Sequence, residues 1–379
     1  MPQHSPEVSP KPAVLKWARE SSGWTIPEIS KKLKVDPQVL VSWESGGQPT
    51  TFKHLEAIAK YYKRPLAALF LPSPPLEPPP PTDFRIIPGT RGRFAKKTLL
   101  AIRRSVRLQS IARELLTSLG RDLAPNIGVA NPSDDPERVA VIERGRIGAS
   151  LSLQEQWIDE RQAFTAWREI IEAHNIYIFS LSMPLDDARG FSLAEQRPLA
   201  IVINSADALN ARIFTLFHEF GHLLLRKPGI CTPQGEWSKH AHLDDIEKWC
   251  NLFAAAFLMP PDIFKQQFDP SIPTSEFLVS ISRGYKVSRQ VALRRMLTLG
   301  LISRKRYWEE MEQLTQSVTI QKKGGRSSPD KQCIRENGPS FTRLVLESKE
   351  RGFITKTDDA QYLGLRLMYL YKVRSLLAY

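Results

Sequence analysis

The chain contains 379 residues, of which 42% are hydrophobic and 25% are charged. This length exceeds what one ordinary domain needs, and this composition excludes collagen, coiled-coil and wholly disordered proteins. The formal net charge is +13, from 53 basic and 40 acidic residues. Residues 131–280 are net acidic and the flanking segments are net basic, a distribution that suits a phosphate or acidic partner as well as simple solubility.

Several classes of protein are disfavoured by what the sequence lacks. No apolar run approaches the ~18 residues of a transmembrane helix, and residues 1–12 lack the apolar core of a secretory signal. The three cysteines, Cys231, Cys250 and Cys333, form no CxxC pair, which disfavours a disulfide scaffold. These features predict a cytoplasmic protein that does not associate with a membrane.

The first part of the chain is predicted to be a small helical domain. Residues 1–12 read as a disordered lead, and residues 13–71 repeat apolar side chains at helical spacing. Residues 72–84 include seven prolines within PSPPLEPPPP. Because proline breaks helices and central strands, this segment is predicted to be a semi-rigid linker between domains.

Two helices and a tight turn are predicted within residues 25–43. Thr25 can cap the first helix, and Asp36 can cap a second helix over Pro37–Glu44, which Gly46 would end. This is the arrangement of a helix-turn-helix, in which the second helix enters the major groove of DNA.

Three side chains near the start of the second helix are the predicted DNA contacts: Gln38, Val39 and Ser42. Glutamine can bind adenine through two hydrogen bonds, and serine can donate or accept one. A helical docking module that does not bind DNA is the alternative interpretation.

The segment TIPEISKKLKVDPQVLVSWESGGQPTTFKHLEAIAKYY resembles the XRE (Cro/C1-type) helix-turn-helix family over residues 13–71. The resemblance departs at Ile26, where many DNA-binding members carry glutamine. It implies an all-α domain that binds double-stranded DNA, and a homodimer, as is common in the family.

The remainder of the chain divides into four predicted segments. Residues 85–150 read as a basic helical connector and residues 151–319 as an α+β domain with strands NIYIFSLS and LAIVIN. Residues 320–339 read as a second linker. Residues 340–379 read as a small helical tail whose segment ITKTDDAQYLGLRLMYL resembles a degenerate helix-turn-helix, and which could bind DNA, a partner or the body of the protein.

A metal-binding pattern lies in the segment ARIFTLFHEFGHLLLR. His218 and His222 are four residues apart, so a helix places both imidazoles on one face, where they can bind one Zn²⁺. Glu219 can accept a proton from a water whose pKa the zinc lowers to about 7. Gly221 is predicted to keep the helix slim where substrate approaches.

The following helix offers the third ligand. Glu247 and Asn251 lie one turn apart in DDIEKWCNLFAAAFLMP, so Glu247 can complete the site and Asn251 can hold a ligand histidine in place. Four other side chains stay open as ligands or oxyanion donors, although the two histidines among them suit a loop and the cysteine suits a buried core position. These are His240, His242, Tyr285 and Cys250.

The motifs RIFTLFHEFGHLLL and IEKWCNLFAAAFLMP resemble the ImmA/IrrE family of zinc metallopeptidases over roughly residues 155–305. The resemblance implies a zincin-like α+β fold. It implies that His218, His222 and Glu247 bind zinc and that Glu219 is the general base. It also implies a protein substrate, since family members cleave XRE-type repressors.

Together these features predict a zinc-dependent endopeptidase that acts on a repressor and is coupled to a DNA-binding or repressor-docking domain. The alternative is a DNA-binding transcriptional regulator whose peptidase-like domain is a sensor or partner-binding module, in the manner of an antitoxin. One zinc ion per chain is expected, although the donor set also admits manganese.

Overall fold

The computed structural model describes residues 6–75, 94–226, 230–231, 241–316 and 327–377. The chain forms two compact units, which divide between Arg104 and Ser105. No helix in the described stretches combines the length and apolarity that crossing a bilayer requires.

The first unit is a small helical bundle. Its helices are α1 (Pro12–Glu20), α2 (Ile26–Leu33), α3 (Pro37–Ser45), α4 (Phe52–Tyr62) and a 3-10 helix (Leu66–Phe70). Two short strands, β1 (Glu7–Val8) and β2 (Thr50–Thr51), pair antiparallel. The predicted disordered lead is therefore wrong for residues 7 and 8, because their backbone is paired with β2.

Local sequence explains how α2 and α3 begin and end. Thr25 and Glu28 form a capping box at the start of α2, and the Asp36 side chain accepts a hydrogen bond from the Gln38 backbone N–H at the start of α3. Gly46 ends α3 in the left-handed conformation, at φ 82°, which glycine adopts without steric cost. The predicted helix-turn-helix is confirmed.

A buried ion pair ties α1 to α3. The Arg19 guanidinium donates to both carboxylate oxygens of Glu44, over 2.7 and 2.9 Å. Such a two-pronged contact fixes the orientation of both side chains. It therefore holds α3 against α1 with one face still open to solvent.

The second unit is built around a four-stranded sheet. Its strands are β3 (Ile176–Leu181), β4 (Gly190–Leu193), β5 (Leu199–Asn204) and β6 (Ile230–Cys231), in the spatial order β3-β5-β4-β6. β3 and β5 run parallel, and β4 runs antiparallel to β5 and β6. Every residue of β3, β4 and β5 is buried, so both faces of this part of the sheet are covered.

Helices make up most of the rest of the second unit. They are α5 (Lys96–Ser118, which crosses the division between units), α6 (Pro136–Arg146), α7 (Leu151–Glu155), α8 (Glu160–Glu172), α9 (Leu209–Leu224), α10 (Ala241–Leu258), α11 (Pro261–Gln267), α12 (Thr274–Tyr285), α13 (Arg289–Thr298) and α14 (Arg304–Gln316). After them come α15 (Pro329–Asn337), α16 (Pro339–Glu350), α17 (Lys356–Leu363), a 3-10 helix (Leu367–Tyr369) and α18 (Leu370–Leu376).

The core of this unit lies where α8, α9 and α10 meet. Trp167 of α8 contacts Phe217 of α9 edge-on, with ring centroids 4.8 Å apart, and Phe217 stacks on Phe257 of α10 at 4.3 Å. All three rings are buried, and aromatic side chains bury more apolar area than other side chains. This cluster holds the two helices that carry the predicted metal ligands.

Two predicted segment boundaries differ from the structure. Residues 85–150 do not form a separate connector, because α6 packs directly on α10 and its Arg144 donates to the buried carbonyl of Phe257. Residues 320–339 are not all linker, because α15 occupies Pro329–Asn337 and packs on β3. Residues 76–93 and 317–326 lie outside the described residues.

A buried arginine fastens the tail to the sheet. Arg168 of α8 donates to Glu172 over 3.0 Å, to the carbonyl of Arg335 over 2.7 Å and to the carbonyl of Ile178. The other oxygen of Glu172 accepts from the Ser340 backbone N–H at 3.1 Å. The tail therefore packs against the body of the second unit.

We expect Arg168→Ala to lower the free energy of unfolding of the second unit by about 3–5 kcal/mol, because it leaves the buried Glu172 carboxylate without its cation. Arg161→Ala is the matched control, since Arg161 is exposed on the same helix and should change stability by under about 0.5 kcal/mol. Urea unfolding of both variants is the measurement. Equal losses would contradict this role for Arg168.

Candidate metal centre

Two histidines and a glutamate are buried in the middle of α9. His218, Glu219 and His222 are each at most 1% exposed, within a helix whose neighbouring side chains are apolar. The spacing of four residues places both imidazoles on one face, as the sequence predicted. Their Nε2 atoms are 3.2 Å apart.

Helix α10 brings a carboxylate to the same place. Glu247 directs Oε2 at His218 Nε2 and Oε1 at His222 Nε2, each over 3.1 Å. The ligand atoms of these three residues lie within 4.8 Å of one another. Burial raises the pKa of Glu247, but the two imidazoles outweigh burial and hold that pKa below its ordinary range.

A glycine sets the distance between the two helices. A Cβ atom on Gly221 would lie 3.2 Å from Cys250 Sγ and 3.3 Å from a ring carbon of Phe253, both on α10. Gly221 therefore permits close contact between α9 and α10, as small residues do at crowded helix crossings. The prediction that it makes room for substrate is wrong, because the freed space faces α10.

Asn251 orients one of the histidines. Its side-chain Oδ1 lies 3.0 Å from His218 Nδ1, a contact in which the imidazole N–H donates to the amide oxygen. The Nε2 lone pair of His218 is then directed at the ligand cluster, which is how outer partners fix a metal-binding tautomer. The structure thus places Asn251 where the sequence predicted it.

Glu219 lies beside the cluster but takes no part in it. Its carboxylate is fully buried, neither oxygen makes a well-formed hydrogen bond within the described part of the chain, and Ser192 of β4 supplies the hydroxyl that interacts with it. Burial raises the pKa of Glu219 to about 7, against the opposing pull of the His222 and His218 imidazoles and a smaller one from Ser192. The group is suited to taking up a proton near neutral pH.

Strand β4 approaches Glu219 closely because of another glycine. A Cβ on Gly190 would lie 2.6 Å from Thr215 Cγ2 and 2.9 Å from the Val202 carbonyl oxygen, with Glu219 Cγ at 3.6 Å. Only a residue without a side chain allows this approach. The sequence did not indicate β4, which lies between β5 and β6 in the sheet.

The clustered residues fit a divalent cation. Two imidazole nitrogens and one carboxylate oxygen are the donor set that zinc prefers in catalytic sites. His222 Nδ1 is buried without a hydrogen-bond partner among the described residues. Buried polar groups in that state are rare and mark sites of function or of bound ions and water.

The other candidates lie elsewhere. Tyr285 donates its hydroxyl to Gln267 Oε1 over 3.0 Å, so it is not an oxyanion donor in this structure. Cys250 is fully buried against Gly221 and outside the ligand cluster, which confirms it as a core residue. His240 and the side chain of His242 lie outside the described residues.

The predicted DNA contacts on α3 differ in their exposure. Gln38 is exposed, whereas Val39 and Ser42 are half-buried and Val39 packs on the core of the first unit. Val41, which was not among the predicted contacts, is 47% exposed on the open face of α3. Helical spacing could have found it, since Leu40 and Trp43 already define the buried face.

Comparisons with known families agree with this architecture. The model described as "IrrE N-terminal-like domain" matches residues 171–297, and the model described as "Helix-turn-helix" matches residues 15–69. The first range contains the three clustered ligands. The chain therefore joins a helix-turn-helix domain of the XRE type to an ImmA/IrrE-like metallopeptidase-family domain, and the predicted fold class is confirmed.

A curated relative supports the match to the IrrE N-terminal-like domain. The chain is 34% identical over 95 residues to the radiation response metalloprotease IrrE of Deinococcus radiodurans. The matched segment covers 24% of this chain and 29% of the relative. The chain thus spans less than a third of the curated relative's length.

We expect the purified protein, reconstituted with zinc and dialysed, to hold about one zinc per chain, and Glu247→Ala to lose most of it because one of three ligands is gone. Asp245→Ala is the matched control, since Asp245 is exposed on the same helix. Elemental analysis gives the ratio. Equal zinc in both variants would exclude Glu247 as a ligand.

Proposed function

From a chain that joins a helix-turn-helix domain to a metallopeptidase-family domain, we propose a zinc-dependent endopeptidase that cleaves an XRE-type transcriptional repressor. The observation that carries this proposal is the convergence of His218, His222 and Glu247 around one point, with the buried carboxylate of Glu219 beside it. A structural histidine pair would not need a second buried acid next to it.

The ligands and the base have separate tasks in the proposed reaction. His218, His222 and Glu247 would hold the cation, which when bound polarises the scissile carbonyl and makes water more acidic. Glu219 takes a proton from the attacking water and returns it to the amine that leaves. Burial favours this role because it raises the pKa of the Glu219 carboxyl, which makes the carboxylate a stronger base.

The first unit would bring the peptidase to its place of action. An exposed face on α3 that includes Gln38 and Val41 fits a major groove. The same face could dock a repressor of similar fold. A regulator in which the peptidase-like domain only senses a signal is the second candidate, and the helix-turn-helix domain is the observation that favours it.

Glu219→Gln should reduce proteolysis by about 10²–10⁴-fold, because an amide cannot accept the proton. Zinc content should stay at the wild-type level, since Glu219 is not a ligand. The measurement is mass spectrometry of new protein N-termini in cells that express the wild type or the variant. If every new N-terminus appeared in both kinds of cell, hydrolysis by this site would be excluded. Regulation that survives in the variant would support the sensor alternative.

Gln38→Ala should weaken binding to the preferred duplex by about 1–3 kcal/mol, the usual loss for one base contact. Binding to unrelated duplexes should not change, because Gln38 carries no charge. Exposed Glu56→Ala on α4 is the control. Duplexes selected from a random pool with the full-length protein and titrated by fluorescence anisotropy provide the test, and an unchanged preference would contradict DNA reading by α3.

A further inference from the structure

The tail repeats the turn that joins α2 to α3. Between α2 and α3, Lys34 is left-handed at φ 57° and ψ 44°, and the next N–H, of Val35, bonds to Ser30 O over 3.1 Å. Between α17 and α18, Gly364 is left-handed at φ 67° and ψ 31°, and the N–H of Leu365 bonds to Ala360 O over 2.9 Å. The two turns share a left-handed residue and the backbone hydrogen bond that follows it.

The starts of the helices also correspond. Thr355 and Asp358 form a capping box at the start of α17, as Thr25 and Glu28 do at the start of α2. After each turn comes an extended residue, Asp36 at ψ 140° and Arg366 at ψ 144°, from which the second helical segment begins.

Burial follows the same pattern in both segments. The buried positions of the first are Ile29, Ser30, Leu33, Leu40 and Trp43, and the residues at the same spacing in the tail, Asp359, Ala360, Leu363, Leu370 and Val373, are all buried too. The open positions Gln38 and Val41 correspond to Met368 and Tyr371, which are 62% and 63% exposed. The tail therefore contains a second helix-turn-helix with an open second helix.

One position explains why the pattern is weak in the sequence. Asp359 is 1% exposed where the first unit has an isoleucine, and its Oδ1 has no hydrogen-bond partner among the described residues. Burial raises the pKa of Asp359 to about 6. A buried acid in the place of a core apolar residue makes the segment read as degenerate.

The two helix-turn-helices differ in the charge of their second helices. Helix α3 contains no lysine or arginine, and its single acid pairs with Arg19. From residue 360 to the last residue the chain contains no aspartate or glutamate and three cations, Arg366, Lys372 and Arg374. Arg374 pairs with Glu350, whereas Arg366 and Lys372 are exposed and enter none of the ion pairs found in the described part of the chain.

We propose that residues 355–376 bind double-stranded DNA. The helical segment 367–376 would enter the major groove, where Met368 and Tyr371 could contact thymine methyl groups. Arg366 and Lys372 would contact phosphates on either side, which provides affinity that depends on salt. DNA is favoured over an acidic protein because cations flank the open face of a helix-turn-helix second helix.

The test is a salt titration of DNA binding with the full-length, zinc-loaded protein. A labelled duplex of mixed sequence is the probe, and fluorescence anisotropy gives Kd at each salt concentration. Arg366→Ala/Lys372→Ala should weaken binding roughly 10-fold at low salt and reduce the slope of log Kd against log salt by about 2, one for each lost phosphate contact. Arg366→Lys/Lys372→Arg should retain the wild-type slope.

A control variant separates position from net charge. Arg138→Ala/Lys265→Ala removes two exposed cations from α6 and α11 and should leave the slope unchanged. An equal loss in both double variants, or no loss in either, would overturn the proposal. Met368→Ser/Tyr371→Ser tests whether the exposed face is a protein interface instead. The proposal would also be overturned if this variant changed the oligomeric mass while Arg366→Ala/Lys372→Ala kept the wild-type salt slope.

Discussion

Close contact between α9 and α10 is the constraint on which the metal centre depends. Gly221 lets the two helix backbones approach, so that Glu247 reaches both imidazoles from the neighbouring helix. The aromatic cluster of Trp167, Phe217 and Phe257 keeps this contact rigid. Because the ligands lie on packed helices rather than on loops, the fold itself sets the distances between them.

The same tight turn recurs along the chain with different uses. It also occurs at Lys286, which is left-handed at φ 57° between α12 and α13. There the second helix is turned inward, and its buried Arg295 pairs with Glu137 of α6. The turn geometry is therefore a way to pack two helices, and the exposure and charge of the second helix determine whether a nucleic acid can bind.

The sequence was sufficient to predict the residues at the centre of the site and the helices of the first domain. A spacing of four residues fixes His218 and His222 on one helix face, and caps such as Thr25 mark helix starts. It was insufficient where distant residues decide the structure. Strand β4 is too short to show a period, and the contact of Arg168 with the tail joins residues far apart in the chain, which no local pattern encodes.

The central claim is that α9 and α10 together build a three-ligand zinc site with Glu219 beside it. The most direct measurement is a crystal of the zinc-loaded protein with diffraction recorded on both sides of the zinc absorption edge. We predict one anomalous peak at about 2.0–2.2 Å from the ligand atoms of His218, His222 and Glu247. A peak at the cysteines or at His240 and His242, or no peak at this cluster, would contradict it.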